Sequence, residues 1–207
     1  ATIVGVSTLD DLTGAASTDT WVVILAGGLG IRLRPLTDST PKPLIEINGK
    51  AILEGALDHL AAQGFRTVFI AVNYRAEMVR ERIGDGSRWG LTVHYIEEGE
   101  PLGTAGALGL LPAIPAGPLL VMNGDLVTDV DFRSMVTEHD RRGAELTVAV
   151  REHIAVIDYG VIEVDRADRI TSISEKPETR HLVSAGIYVA PPSVVRLVAP
   201  GVPLNMT

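Results

Sequence analysis

The sequence predicts an α/β protein with a mixed, mainly parallel sheet whose second half is richer in strands. Short apolar runs alternate with helix-patterned stretches along the first two thirds of the chain. The runs are continuous rather than alternating, as expected of strands buried on both faces. After Gly143 strand-like segments follow one another mostly without helices between them.

The predicted strands of the first half are 21–25 (WVVIL), 67–72, 91–96 and 119–122. Between them, Ile52, Leu53, Ala56, Leu57 and Leu60 recur at helical spacing, with Gly64 as a stop. A second helix is predicted over 75–83 before Gly84, a short small-residue helix over 104–111, and another over 132–142 before Gly143. The later strands are predicted at 146–150, 160–164, 170–174 and 183–189.

At 207 residues the chain holds one sizeable domain, assigned to 21–207, behind an extension at 1–20. Aromatics make up only 4%, so the core must be built from Leu, Val, Ile and Ala. A formal net charge of −8 disfavours a nucleic-acid partner, which calls for a basic surface. No apolar run approaches the roughly 20 residues needed to span a bilayer. The absence of cysteine excludes disulfides and thiolate metal sites within the sequence and fits a cytoplasmic location.

The stretch "AGGLGIRLRPLTDSTPKPL" (26–44) follows the first predicted strand. Ligands of open α/β sheets lie beyond the carboxyl ends of the strands, and glycine lets a phosphate reach backbone N–H groups. Glycines alone equally make a tight strand-to-helix turn. A P-loop requires Gly-Lys-Ser/Thr, but Gly30 is followed by Ile31-Arg32. A dinucleotide fingerprint requires glycine where Leu33 stands. What remains is Gly27, Gly28 and Gly30 followed by fixed cations, of which Arg32 and Lys42 flank a segment stiffened by Pro35, Pro41 and Pro43. A guanidinium fork and an ammonium point charge on such a segment suit a polyphosphate.

This stretch resembles the signature of sugar-1-phosphate nucleotidylyltransferases, and the similarity runs from about Trp21 to about Pro200. The resemblance implies a Rossmann-like, three-layer, GT-A-like nucleotidyltransferase fold. It implies that Leu25, Ala26, Gly27, Gly28, Gly30 and Arg32 hold the nucleotide and that Lys42 contacts phosphate. Ile31 departs from the threonine usual there.

Further stations support it. In "EEGEPLGTAGAL" (97–108), Gly103 and Thr104 open a predicted helix whose free N–H groups suit an anion; a plain capped helix reads equally well. The resemblance implies that this stretch reads the base, with Glu100 and Gly103 as candidates. In "VMNGDL" (121–126), Asp125 follows a buried strand in a turn made by Asn123 and Gly124. Such an Asp is usually a turn former; facing a polyphosphate it also suits Mg²⁺, which takes carboxylate and phosphate oxygens. The resemblance implies the metal role. It further assigns Asn123, Gly160, Glu175, Lys176 and Ser184 to the sugar phosphate, from "DYGVIEVD", "SISEKPE" and "VSAGIYV". Family members often carry Asn where Ser184 stands.

The implied reaction joins a sugar-1-phosphate to an NTP, releasing pyrophosphate. Arg32, Lys42 and Lys176 are the expected catalytic cations, and Mg²⁺ the cofactor. "MNGD", "VNYRAEM" and "EPLGTAGAL" most resemble the guanylyltransferase branch acting on mannose- or heptose-1-phosphate. Uridylyl or thymidylyl transfer, or a non-catalytic regulator binding nucleotide sugars, are the alternatives. No nucleophile–His–Asp set is visible, since His59, His94, His139, His153 and His181 are scattered. The family's second metal-binding aspartate, from a Trp-Asp-like segment, has no counterpart here, so a C-terminally truncated domain is expected. "IVGVSTLDDL" near the N-terminus resembles the end of a CBS module, and equally an ordinary extension. Partners expected are the two substrates, without nucleic acid or membrane, and homo-oligomerisation is left open.

Overall fold

A computed structural model describes residues 20–206; the CBS-like stretch lies outside them. The elements in chain order are β1 (Trp21–Leu25), β2 (Glu46–Ile47), β3 (Lys50–Ala51), α1 (Ile52–Ala62), β4 (Thr67–Val72), α2 (Ala76–Ile83), β5 (Thr92–Glu97), β6 (Leu119–Asn123), α3 (Phe132–Arg142), β7 (Thr147–Val156), β8 (Gly160–Val164), β9 (Ile170–Glu175) and β10 (Glu178–Ala190). The described residues divide into two compact units, one of 20–148 and 186–206, the other of 149–185.

A six-stranded sheet has the order β5-β4-β1-β6-β10-β7. β1 pairs in parallel with β4 and β6, and β5 in parallel with β4, while β10 runs antiparallel to β6. The mixed, mainly parallel sheet of an α/β fold is therefore present. The chain leaves β1 for β4 and β5 on one side, then returns to β6 on the other. Connections departing in opposite directions open a crevice at the carboxyl ends of β1 and β6.

Both faces of the central strands β1, β4 and β6 are covered. Val23, Phe69, Val121 and Tyr188 form one core with Ala107, Leu108 and Leu111. On the opposite face Met122 shares a small cavity with Ile52, Ala56 and Phe132, so α1 and α3 cover that side. Val22, Ile24, Leu53, Leu57, Leu60, Ile70 and Leu120 are fully buried. Each such side chain contributes about 1.5–3 kcal/mol relative to exposure.

Local chemistry sets the helix ends. The Asp131 carboxylate accepts from the Ser134 N–H at 2.9 Å and caps α3, which stops at Gly143 in the left-handed region. α2 begins at Ala76 rather than 75, because Arg75 takes a left-handed conformation with φ 51°. The stretch predicted as a helix over 104–111 is a 3₁₀ turn, Gly106–Leu110. The N–H groups of Ala105 and Gly106, expected to be free for an anion, donate to the Leu204 carbonyl at 2.9 and 3.2 Å. That carbonyl draws them off the path of an α-helix, and three glycines nearby do little to resist.

Candidate functional site

The glycine loop is held in shape by a threonine. Gly30 has φ +63°, and a Cβ there would lie 2.8 Å from Thr37 Cγ2. Thr37 is buried and its hydroxyl donates to the Gly30 carbonyl at 2.9 Å. Glycine is thus required at position 30 twice over, by conformation and by space. The Leu33 N–H donates to the same carbonyl at 2.9 Å and closes the 3₁₀ turn Ile31–Leu33, which presents Arg32 to solvent. Lys42 opens a second 3₁₀ turn, Lys42–Leu44, with Pro41 before it and Pro43 within it. Both cations therefore stand on proline- or glycine-fixed turns.

Asp125 follows β6, where the Gly124 N–H donates to the Leu25 carbonyl at 2.8 Å and ties the turn to the end of β1. The Lys42 ammonium donates to the Asp125 carboxylate, and the two side chains are 34% and 26% exposed. These groups face a cleft of about 530 Å³ at the carboxyl ends of β1 and β6. Of the residues singled out from sequence, Leu25, Ala26, Gly27, Gly28, Gly30, Arg32, Lys42, Gly103, Thr104, Asn123 and Asp125 line it. Leu29, Ile31 and Leu33 add an apolar rim.

Glu100 is not among the lining residues, whereas Glu98 is. Strand β5 ends at Glu97, so Glu98 leaves the sheet where the crevice lies. Its N–H donates to the Val72 carbonyl at 3.0 Å, and the Asn73 side chain donates to its carbonyl at 2.6 Å. Its carboxylate accepts from the Leu102 N–H at 3.2 Å. Burial pushes the Glu98 carboxyl above the usual range, with the Leu102 hydrogen bond opposing. The signal missed in the sequence is the strand end: the residue just past a parallel strand meets the crevice, and Glu100 is two residues beyond it.

Gly103 has φ +74°, and a Cβ there would lie 2.6 Å from both the Leu204 carbonyl oxygen and Asn205 Oδ1. The Thr104 N–H donates to Asn205 Oδ1 at 3.3 Å, and the Met206 N–H donates to the Thr104 hydroxyl at 2.8 Å. The segment around Leu204 thus fixes this wall of the cleft.

Gly160, Glu175, Lys176 and Ser184 belong to the other unit. Gly160 and Glu175 are register partners across the β8–β9 hairpin. Lys176 follows with φ 46°, and its N–H donates to the Tyr159 carbonyl at 3.3 Å. Left-handed backbone at a lysine is uncommon and is held here by the hairpin's end.

Among the described residues no group of three or more His, Cys, Asp or Glu side chains could hold a metal ion. Mg²⁺ bound through substrate phosphates needs only one or two carboxylates. Asp125 meets that requirement, since its carboxylate faces the cleft and already attracts a cation, Lys42. No helix among the described residues is long and apolar enough to cross a membrane.

The nucleotidyl transferase family profile matches residues 21–202. The chain is similar to the mannose-1-phosphate guanylyltransferase catalytic subunit beta of Drosophila melanogaster, with 40% identity over 187 residues, covering 87% of this chain and 51% of that protein. The mannose-1-phosphate guanyltransferase of Yarrowia lipolytica is 37% identical over 183 residues, covering 85% and 50%. The chain thus spans about half the length of the curated relatives it matches. Among solved structures, HddC from Yersinia pseudotuberculosis complexed with GMP-PN superposes with a TM-score of 0.66 at 25% identity, covering 90% of this chain and 82% of that one.

Proposed function

The chain belongs to the nucleotidyl transferase family, and we propose that it transfers a nucleotidyl group from GTP to a mannose- or heptose-type sugar-1-phosphate. The observation that carries this reading is the cleft, where a glycine loop, two cations and a carboxylate meet at the ends of β1 and β6. Its products are an NDP-sugar and pyrophosphate.

A phosphate oxygen of the sugar-1-phosphate attacks the α-phosphorus of the nucleotide. The new P–O bond forms as the bond to the pyrophosphate oxygen breaks. The attacking oxygen is already an anion at neutral pH, so no general base is required, in keeping with a cleft that contains no histidine. The protein's work is positioning and charge neutralisation. The glycine turn brings backbone N–H groups to the triphosphate, while Arg32 and Lys42 neutralise it. A divalent cation held by Asp125, when bound, adds Lewis-acid neutralisation of the phosphates. Following the resemblance, Gly160, Glu175 and Lys176, gathered at one end of the β8–β9 hairpin, and Ser184 are proposed as sugar-phosphate contacts of their own unit, and Asn123 is proposed as a sugar-phosphate contact of the cleft-bearing unit.

Preference for guanine is supported by two relatives named for guanylyl transfer and by HddC in complex with GMP-PN. Chemistry in the cleft is compatible with that preference. Guanine offers N1–H and N2–H₂ donors side by side, and Glu98, whose carboxylate already accepts from the Leu102 N–H, brings an acceptor group to the cleft lining. Uracil and thymine offer a single N–H flanked by carbonyls, which a carboxylate repels.

The test is pyrophosphate release with a panel of NTPs and sugar-1-phosphates. GTP with mannose- or heptose-1-phosphate is expected to give the highest kcat/KM, and Arg32→Ala to lower turnover by about 10²–10³. Equal turnover with UTP or dTTP, or near-normal kinetics in a folded Arg32→Ala protein, refutes the reading.

A further inference from the structure

We infer that Lys42 is a mobile counter-ion: it occupies Asp125 while the cleft is empty and passes to the triphosphate when a divalent cation takes the carboxylate. The inference rests on the nucleotide-and-metal reading of the cleft. It starts from the direct pairing of the Lys42 ammonium with the Asp125 carboxylate. Two opposite charges from distant parts of the chain, one on the proline turn and one past β6, meet on the cleft wall.

The charge arithmetic of the cleft makes the pairing consequential. Its charged lining is Arg32, Lys42, Glu98 and Asp125. With Lys42 engaged on Asp125, a nucleotide arriving without metal meets a neutral pair and only Arg32 as an uncommitted cation. With Asp125 taken by a divalent ion, the ammonium is released and adds to the attraction for phosphate. One lysine thus links the two ligands, so metal and nucleotide bind better together than either binds alone. Such coupling is reciprocal by thermodynamic necessity. The pair is well suited to exchange. Both side chains are a quarter to a third exposed, and pairs this accessible are worth little on their own. The Lys42 backbone is fixed by its 3₁₀ turn while the flexible four-carbon side chain is free to swing.

A binding cycle tests this without any measurement of turnover. GTP affinity is measured by calorimetry in EDTA for the wild-type chain, Asp125→Asn, Lys42→Met and the double variant. Far-UV circular dichroism and the thermal midpoint establish that each is folded. Exchange predicts that Asp125→Asn tightens metal-free GTP binding on the order of threefold to tenfold more when Lys42 is present than in the Lys42→Met background. An Asp125→Asn effect of equal size in both backgrounds overturns the exchange. The cycle is then repeated with Mn²⁺, which is expected to tighten GTP binding to the wild type but not to Asp125→Asn. If Mn²⁺ tightens both equally, Asp125 is not the metal ligand and the underlying reading falls first. Failure of the wild type to bind GTP at all overturns both. Asp125→Ser takes the place of the Asn variant should that one unfold.

Discussion

The two units of this molecule use the same residue types in opposite ways. In β1 and β4, Val22, Val23, Ile24, Val68 and Ile70 are fully buried between two covering layers. In the β8–β9 hairpin, Ile162 and Ile173 face one another as register partners and are 56% and 66% exposed. Val164 and Ile170 beside them are 56% and 60% exposed. β-branched residues therefore mark strands in both units, but they mark a core only where a second layer lies against them. The cleft is built on the well-packed unit, whose parallel strands give its turns rigid ends. The hairpin carries Gly160, Glu175 and Lys176 on a scaffold that two strands alone stabilise only marginally.

Substitutions in each unit sharpen this contrast. Leu57→Ala on α1 empties a fully buried position and is expected to cost about 2–5 kcal/mol, read from the denaturant midpoint. A loss below 1 kcal/mol would mean the unit is less tightly packed than its burial indicates.

Next in size is an acid-sensitive element in the same unit. Glu54 is nearly buried and accepts hydrogen bonds from Arg82, Arg88 and the Ala51 N–H. The Arg82 hydrogen bond, helped by the Ala51 N–H and opposed by burial, lowers its carboxyl from 4.5 to about 2. A depressed folded-state value means the stabilisation is complete above pH 4.5 and is lost as pH falls toward 2. Roughly 3 kcal/mol is at stake. Unfolding free energy should fall through that window in the wild type, and Glu54→Gln should be less stable at neutral pH but lose less on acidification. Parallel pH profiles would remove Glu54 from the account.

Gly30→Ala comes third. Its left-handed backbone and the collision with Thr37 should cost about 1–3 kcal/mol and displace Arg32, seen as weakened GTP binding together with a lower thermal midpoint. Unchanged binding would show that the loop has room to rearrange. The smallest effect is expected from Ile173→Thr on the hairpin, within about 0.5 kcal/mol, since an exposed residue has little packing to lose. A large destabilisation there would break the contrast between the units.

Much of the packed unit was legible because burial on both faces leaves continuous apolar runs. In that unit β1, β4 and α3 have the predicted bounds; β8, in the other unit, has them too. The longer strands β7 and β10 outran the prediction, since most of their additional residues are exposed and mix polar with apolar types, leaving no continuous apolar run. Most of the cleft residues were legible because glycine, arginine and proline in one loop have few joint uses. The 3₁₀ turn at Gly106–Leu110 was not, because the Leu204 carbonyl that reshapes it lies far along the chain.

By itself, the sequence determined the order and type of the main elements, the loop of glycine, arginine and proline that lines the cleft, and the family. These depend on local periodicity and on residue types whose chemistry travels with them. Tertiary structure alone decided that Glu98 rather than Glu100 lines the cleft, that Thr37 locks Gly30, and that Lys42 meets Asp125. Each is a contact or placement between elements, and the register and crossover of strands set it rather than any local pattern.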